Sequence, residues 1–381
     1  MKRYLLAAFA AITLACSCTE NCIDFLIGTY TGSGSWGIYR ASLCLDDGRA
    51  VLTDSAGVVN PSYICMSPDG RTAYTVRETS DEKAGVYCFA IEGGSMTALG
   101  FQLTGGPEGA APGVPADKGG VTGGEDPCFL ETDGRVLVTA NYSGGSMTVF
   151  PVLGNGDLGE ASAIFPGSTG GPDTTRQNTA HVHCTKFSPD GGYIFASDFS
   201  ADRILRFEVL EDATVRQSLD GEGKPLCWSV SADSGPRHIT FSPDGNFMYV
   251  IGELSGGVTA FRYNDGRLEF LQEVDADPCD GRGSADIHIS PDGNFLYASN
   301  RLVGDCISIF RIAADGTLSP AGTQSVPAHP RQFSITPDGR WLLCCCRDAD
   351  SIVIYHRNAK TGALTEQSRL RLSKPVCVTW M

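Results

Sequence analysis

Five of the six histidines, His181, His183, His238, His288 and His329, stand at or near the starts of short apolar runs. Arg237, Asp286 and Arg331 occupy equivalent starts, while Thr29, Arg77, Glu78, Asn141, Asp198, Glu253, Asn300, Arg301 and Arg347 stand where other apolar runs end. A neutral imidazole or a carboxylate can take a proton from water, and an arginine offers a rigid fork of donors to a carboxylate or a developing oxyanion. If the fold gathers these residues, they can run acid–base chemistry on a substrate that builds up negative charge. No Gly-x-Ser-x-Gly elbow supplies a serine nucleophile. His181 and His183 share one strand face and could chelate a metal, but no fuller ligand set accompanies them, so no metal or other cofactor is expected. The chain carries a net charge of -15, which excludes nucleic acid as a natural partner because phosphate contacts need clustered Lys and Arg.

The elements that must position these residues follow from a repeated phrase. An apolar strand, Ser-Pro-Asp-Gly and a second apolar strand recur at Ser67 to Gly70, Ser188 to Gly191, Ser242 to Gly245 and Ser290 to Gly293, with a near copy at Thr336 to Gly339 and a worn one at Glu131 to Gly134. Proline presets the turn and glycine supplies positive φ, so each phrase predicts a hairpin. The turn aspartates are structural. The first strands begin at Pro61, Pro127, His181, Pro236, Ala285, Pro330 and Pro375, at intervals of 45 to 66 residues. That is the period of a four-stranded propeller blade. The start at Pro375 has no hairpin after it, whereas Phe25 to Tyr30 and Gly37 to Leu43 read as second and third strands without a first. The fold predicted is all-β: a seven-bladed β-propeller whose N- and C-terminal strands share one blade, which removes the open edge.

This architecture gathers the polar residues. A hairpin reverses the chain, so the start of a first strand and the end of a second lie at the same end of a blade. First strands line the central channel, and their polar starts ring one mouth of it. An acidic chain thus sets histidines and arginines around one opening, where low-dielectric walls focus their field on an anion. Two Gly-rich segments, Thr104 to Asp126 and Pro166 to Ala180, run into first strands at the same rim; long irregular loops in compact folds are often functional.

Residues 1–22 read as an export signal with a lipoprotein anchor region, and 23–381 as the propeller. Lys2 and Arg3 precede an apolar run from Tyr4 to Ala15, too short for a spanning helix. Leu14-Ala15-Cys16-Ser17-Cys18 resembles a bacterial lipobox, with Cys16 or Cys18 as the lipid carrier, although Thr13 stands where an aliphatic residue is usual. The protein is expected in the cell envelope, in the periplasm or held to a membrane only through lipid. Most of the 15 cysteines, including Cys65, Cys88, Cys184, Cys306 and Cys344 to Cys346, lie in strand-like runs and are expected to be buried thiols rather than disulfides.

As a set and in order, several phrases carry a resemblance: Gly28-Thr29-Tyr30-Thr31, Asn60-Pro61-Ser62-Tyr63, Asn141-Tyr142 with Gly144-Gly145-Ser146, Arg176-Gln177 leading into His181-Val182-His183, Pro236-Arg237-His238, Glu253-Leu254, Ser299-Asn300-Arg301 and Pro330-Arg331. The chain resembles the propeller-type 6-phosphogluconolactonases, the lactonase family that also holds fungal carboxymuconate cyclases. The resemblance implies a hydrolase that opens a small, anionic sugar lactone at the channel mouth, working as a monomer. It implies Glu253, His183, Arg237 and Arg301 as catalytic residues, with Glu253 or His183 as general base. His181, Gln177, His238, Asn141 and Arg331 are implied as substrate-binding residues. The chain departs from the family's usual pattern at Phe129, often histidine, and at Asp286, often glutamate; the export signal is a third departure. Two other readings stand beside this one: a lactone cycloisomerase, and a non-enzymatic binding propeller that needs no ring of His and Arg.

Overall fold

The computed structural model describes residues 21–105 and 123–381. The anchor region, with Cys16 and Cys18, and most of the Thr104 to Asp126 segment lie outside the described residues. Seven antiparallel sheets form the blades. Their innermost strands are Ile64–Met66, Pro127–Thr132, Val182–Phe187, Pro236–Phe241, Ser284–Ile289, Pro330–Ile335 and Pro375–Trp380. Each packs on the next, and Pro375–Trp380 closes the ring against Ile64–Met66. We number the blades 1 to 7 in that order.

Blade 7 is the shared blade. Pro375–Trp380 pairs with Cys22–Thr29, with Phe25 opposite Trp380 and Ile27 opposite Val378. Gly37–Cys44 and Ala50–Gly57 complete it outward. The ring is therefore fastened by strand pairing between the two ends of the domain, and neither end is left as an open edge.

The repeated phrases form the hairpins expected. In blade 3 the Ser188 hydroxyl donates to Asp190 Oδ1 at 2.6 Å, Tyr193 N–H donates back to Ser188 Oγ at 3.0 Å, and Gly191 takes φ of 71°. Each turn aspartate caps its own hairpin, at the end of the blade away from the polar mouth, and two also reach a neighbouring blade: Asp190 accepts from Tyr263 and Asp292 from Arg357. Apolar side chains from both faces of each blade fill the space between neighbours. Buried tyrosines of the second strands tie blades together: Tyr74 O–H donates to the Gly156 carbonyl at 2.8 Å, Tyr249 to Gly316 at 2.9 Å and Tyr297 to Gly362 at 2.8 Å. A tyrosine in such a core keeps its apolar contact only because its hydroxyl has a partner. Nine of the 13 described cysteines are buried.

Candidate active site

The mouth is shaped by one recurring irregularity. In six of the seven innermost strand pairs the register slips at the start of the first strand. The first strand has one more residue than its partner there, a bulge that re-aims a side chain. The residues set into these bulges are Cys128, His183 with Cys184, Arg237, Ala285 with Asp286, Arg331 and Val376. Of these, Cys128, His183, Arg237, Arg331 and Val376 line cavities on the ring axis.

The upper cavity has a volume of about 360 Å³, in the range of small-molecule sites. Glu253 stands in its wall, buried at 7% exposure. Its Oε1 accepts from Arg176 at 2.7 Å; its Oε2 accepts from Arg237 Nε at 2.9 Å and lies 3.3 Å from Arg301. Burial alone would raise this carboxyl, but Arg301, Arg237 and Arg176 outweigh it and hold Glu253 down at about 2. Burial also pushes the Arg301 guanidinium down, opposed by Glu253 and reinforced by Arg237 and Arg331.

Arg176 reaches this carboxylate from the segment between blades 2 and 3, which is folded around Asp173. The Asp173 carboxylate accepts the N–H groups of Thr175 and Arg176 at 2.9 and 3.0 Å. Gln177 locks the loop onto blade 3: its amide donates to the Phe199 carbonyl at 3.0 Å and to Asp202 at 2.8 Å, and its Oε1 accepts from Asp173 N–H. Across the cavity Arg331 lies over the Tyr30 ring at 5.2 Å and 3.9 Å from Glu78, which accepts the Tyr30 hydroxyl at 2.8 Å.

His183 lines the same cavity, its Nδ1 3.7 Å from Cys128 Sγ and its ring edge-on to Tyr142. Burial, then Arg237, His238 and Arg331, push His183 well below 6.5, so it is neutral at physiological pH. Beneath it His238 donates from Nδ1 to Asp286 at 2.7 Å, and Arg237 donates to His238 Nε2 at 3.2 Å. Asp286 also meets His288 Nε2 at 2.9 Å and accepts Phe333 N–H at 3.1 Å. Burial would raise Asp286, but His288 and His238 keep it well below the usual carboxylate range.

The nine residues singled out from sequence fall into three groups. Glu253, His183, Arg301 and Arg331 line the cavity. Arg237 and His238 form the layer beneath it, beside a cavity large enough for one water. His181, Gln177 and Asn141 do not line either cavity. His181 stacks on Tyr142 with both ring nitrogens engaged, Nδ1 by the Tyr142 carbonyl and Nε2 by the Thr179 hydroxyl. It is therefore not poised to chelate metal with His183. Asn141 is fully buried in blade 2, donating to Ser146 and Thr148 and accepting from Thr139. Asn141 and Gln177, expected to bind substrate, each engage their amide with the fold. Tyr30, Glu78, Asp126, Tyr142, Ser143 and Arg176 line the cavity without having been singled out as site residues. Their signal was present, since Glu78 ends a second strand and Tyr30, Tyr142 and Arg176 sit in the motif phrases.

Fold and site together define a β-propeller with a basic, carboxylate-braced pocket on its axis. The chain belongs to the family described as Lactonase, 7-bladed beta-propeller, whose profile matches residues 24–380. It is 33% identical to a 6-phosphogluconolactonase of Formosa agariphila over 89% of this chain and 93% of that protein. It is 31% identical to a 6-phosphogluconolactonase of Bacillus subtilis over 93% and 97%. Among solved structures, a candidate 6-phosphogluconolactonase from Bacteroides uniformis is 46% identical, covers 95% of this chain and 100% of that one, and superposes with a TM-score of 0.88. The Pseudomonas aeruginosa periplasmic gluconolactonase is 28% identical over 94% and 99%, with a TM-score of 0.82.

Proposed function

We propose that the protein hydrolyses a sugar lactone of the gluconolactone class with water at the channel mouth. The observation that carries this reading is the convergence of Arg176, Arg237 and Arg301 on Glu253 in the wall of an axial pocket. Opening a lactone puts charge on the carbonyl oxygen, and guanidiniums already oriented by a buried carboxylate stabilise that charge without reorganising. Arg301, with Arg237 behind it, takes the oxyanion.

His183 is the general base. Protonating Glu253 would leave three guanidiniums without their counter-charge in a buried site, whereas neutral His183 accepts a proton without breaking an ion pair. Water attacks the carbonyl carbon as its proton passes to His183. Collapse of the tetrahedral intermediate breaks the ring C–O bond, and His183 returns the proton to the leaving alkoxide. The product is the aldonic acid, which ionises in solvent. Glu253 serves as the anchor that fixes the arginines. The relatives' names support the substrate class, and the lipobox-like start supports an envelope location, which we propose with it.

The test is lactone hydrolysis by the purified protein in heavy-oxygen water. Label should enter the acid product, which an isomerisation would not give. His183→Asn should lower turnover by roughly 100- to 10,000-fold. Full activity in both His183→Asn and Glu253→Gln would remove the channel mouth as the catalytic centre.

A further inference from the structure

We infer that the lactone taken by this site is uncharged, a plain aldonolactone rather than its phosphorylated counterpart. The inference rests on the lactonase reading above and replaces the expectation of an anionic substrate.

Among the described residues, the cavity wall holds three carboxylates, Glu78, Asp126 and Glu253, against three guanidiniums, Arg176, Arg301 and Arg331. Every arginine is already engaged. Arg176 and Arg301 lie 2.7 and 3.3 Å from Glu253, and Arg331 lies 3.9 Å from Glu78. Among the described residues, further cations pair with carboxylates: Arg282 with Asp173 and Asp233, Arg347 with Asp348, and Lys374 with Asp348 and Asp350. Beneath the floor Arg237 is accompanied by the buried Asp286 carboxylate, which holds His238. Wall and floor together thus set four arginines against four carboxylates. That balance does not match a phosphate that brings nearly two negative charges of its own at neutral pH. The chain's net charge of -15 further opposes an anion's approach.

Hydrogen-bond chemistry leads to the same substrate. Glu78 and Asp126 already act as acceptors for hydroxyls: Tyr30 O–H reaches Glu78 at 2.8 Å, Ser80 reaches both Asp126 oxygens at 2.9 Å, and Ser143 also donates to Asp126. A polyhydroxylated lactone can donate to these carboxylates and accept from the arginines. A phosphate dianion has only acceptors, so Glu78 and Asp126 would repel it. Both carboxylates are therefore specificity-determining: they select hydroxyls and reject phosphate.

The experiment compares kcat/KM for glucono-1,5-lactone and its 6-phosphate, corrected for spontaneous hydrolysis, in the wild type, Asp126→Asn and Glu78→Gln. The wild type is expected to prefer the plain lactone by tenfold or more. Each variant is expected to move the ratio several-fold toward the phosphorylated lactone, with the wild-type melting profile as the control for folding. A wild-type preference for the phosphorylated lactone overturns the inference and leaves the lactonase reading standing, as does a ratio unmoved in both variants. Hydrolysis of neither lactone overturns the lactonase reading itself, and the inference with it.

Discussion

Arg237 and Glu253 belong to one hairpin, and Arg237 Nε meets Glu253 Oε2 at 2.9 Å because the strand bulges between Pro236 and His238. In an unbulged ladder Arg237 would face a partner residue and alternate with its neighbours between the two faces of the sheet. The bulge turns it onto the axis instead. There it is 1% exposed and also donates to the Ala285 carbonyl of the next blade. One local irregularity thus joins blade architecture to site electrostatics.

The same pair makes stability depend on pH. Glu253 has a folded value of about 2 against an ordinary 4.5. A depressed carboxyl contributes stability that is present above 4.5 and lost as pH falls toward 2. The group is almost fully buried, so its contribution is on the order of 3 kcal/mol. Urea unfolding of the wild type at pH 7 and pH 3 should show this loss. Glu253→Gln should be less stable than wild type at pH 7, since it leaves three arginines facing a neutral amide, and should show a shallower pH dependence. An unchanged pH dependence in the variant would place the acid-sensitive group elsewhere.

Gly28 tests the closure of the ring. A Cβ there would lie 2.2 Å from the Pro61 carbonyl oxygen and 3.2 Å from Cys377 Cβ. The shared blade approaches blade 1 closely only because this residue has no side chain. Gly28→Ala should cost about 1–3 kcal/mol, as other overpacked sites do, and lower the midpoint of thermal unfolding. Wild-type stability in this variant would mean that the strands can separate there without loss.

The fold was legible because most blades advertise themselves twice. In most blades the turn phrase marks the hairpin and a proline or histidine marks the strand before it, so neither depends on an ambiguous apolar run; blade 5 begins at Ala285 and blade 7 has no turn phrase. The shared blade was legible as an arithmetic remainder, a start at Pro375 with no hairpin. The site was legible only to the level of which end of a blade a residue occupies. Asn141 closes its strand opposite Pro127 and is saturated inside blade 2, whereas Glu253 stands one residue past the strand Phe247–Gly252 and reaches the cavity wall. Both hairpins carry the same bulge, so a difference of one residue past the strand end decides the outcome, and an apolar run does not mark its own end to within one residue. Arg176 was hidden for a different reason. Its position depends on Asp173 and Gln177 folding an irregular loop, and a loop lacks the periodicity that places strand residues.

The cysteines should behave as core residues. Of the described cysteines only Cys22 and Cys279 are exposed. Burial pushes Cys184 and Cys377 up to about 12, far from the thiolate that reagents attack. A thiol-specific chromogenic reagent should label Cys279 quickly in the folded protein and the nine buried thiols only after unfolding. Rapid labelling of Cys344, Cys345 or Cys346 would show that blade 6 opens in the native state.

The proposed envelope location has its own test. Radioactive palmitate should label the wild-type protein in cells and fail to label a Cys16→Ala, Cys18→Ala double variant. The single variants assign the lipid to one cysteine. An unlabelled wild type would remove the lipid anchor, and fractionation would then decide whether the protein is exported without it.

The pH dependence of turnover distinguishes His183 from Glu253 as base. A base works in its proton-free form. Burial and the charges of Arg237 and Arg331 depress His183 well below 6.5, so the neutral ring persists on acidification past the ordinary histidine range. kcat/KM should therefore be level through neutrality and fall only well below pH 6.5. Arg331→Gln removes one of the charges that hold the value down. It should shift the acid limb to higher pH, toward 6.5, while also weakening the pocket's grip on substrate and raising KM. Were Glu253 the base, the limb would follow a carboxyl held at about 2 by Arg301, Arg237 and Arg176. It would then lie where the fold itself is losing stability. Arg331 also acts on Glu253, so the position of the limb decides: a limb well above the acid unfolding transition, moving toward 6.5 in Arg331→Gln, assigns the proton to His183, and a limb that coincides with that transition assigns it to Glu253.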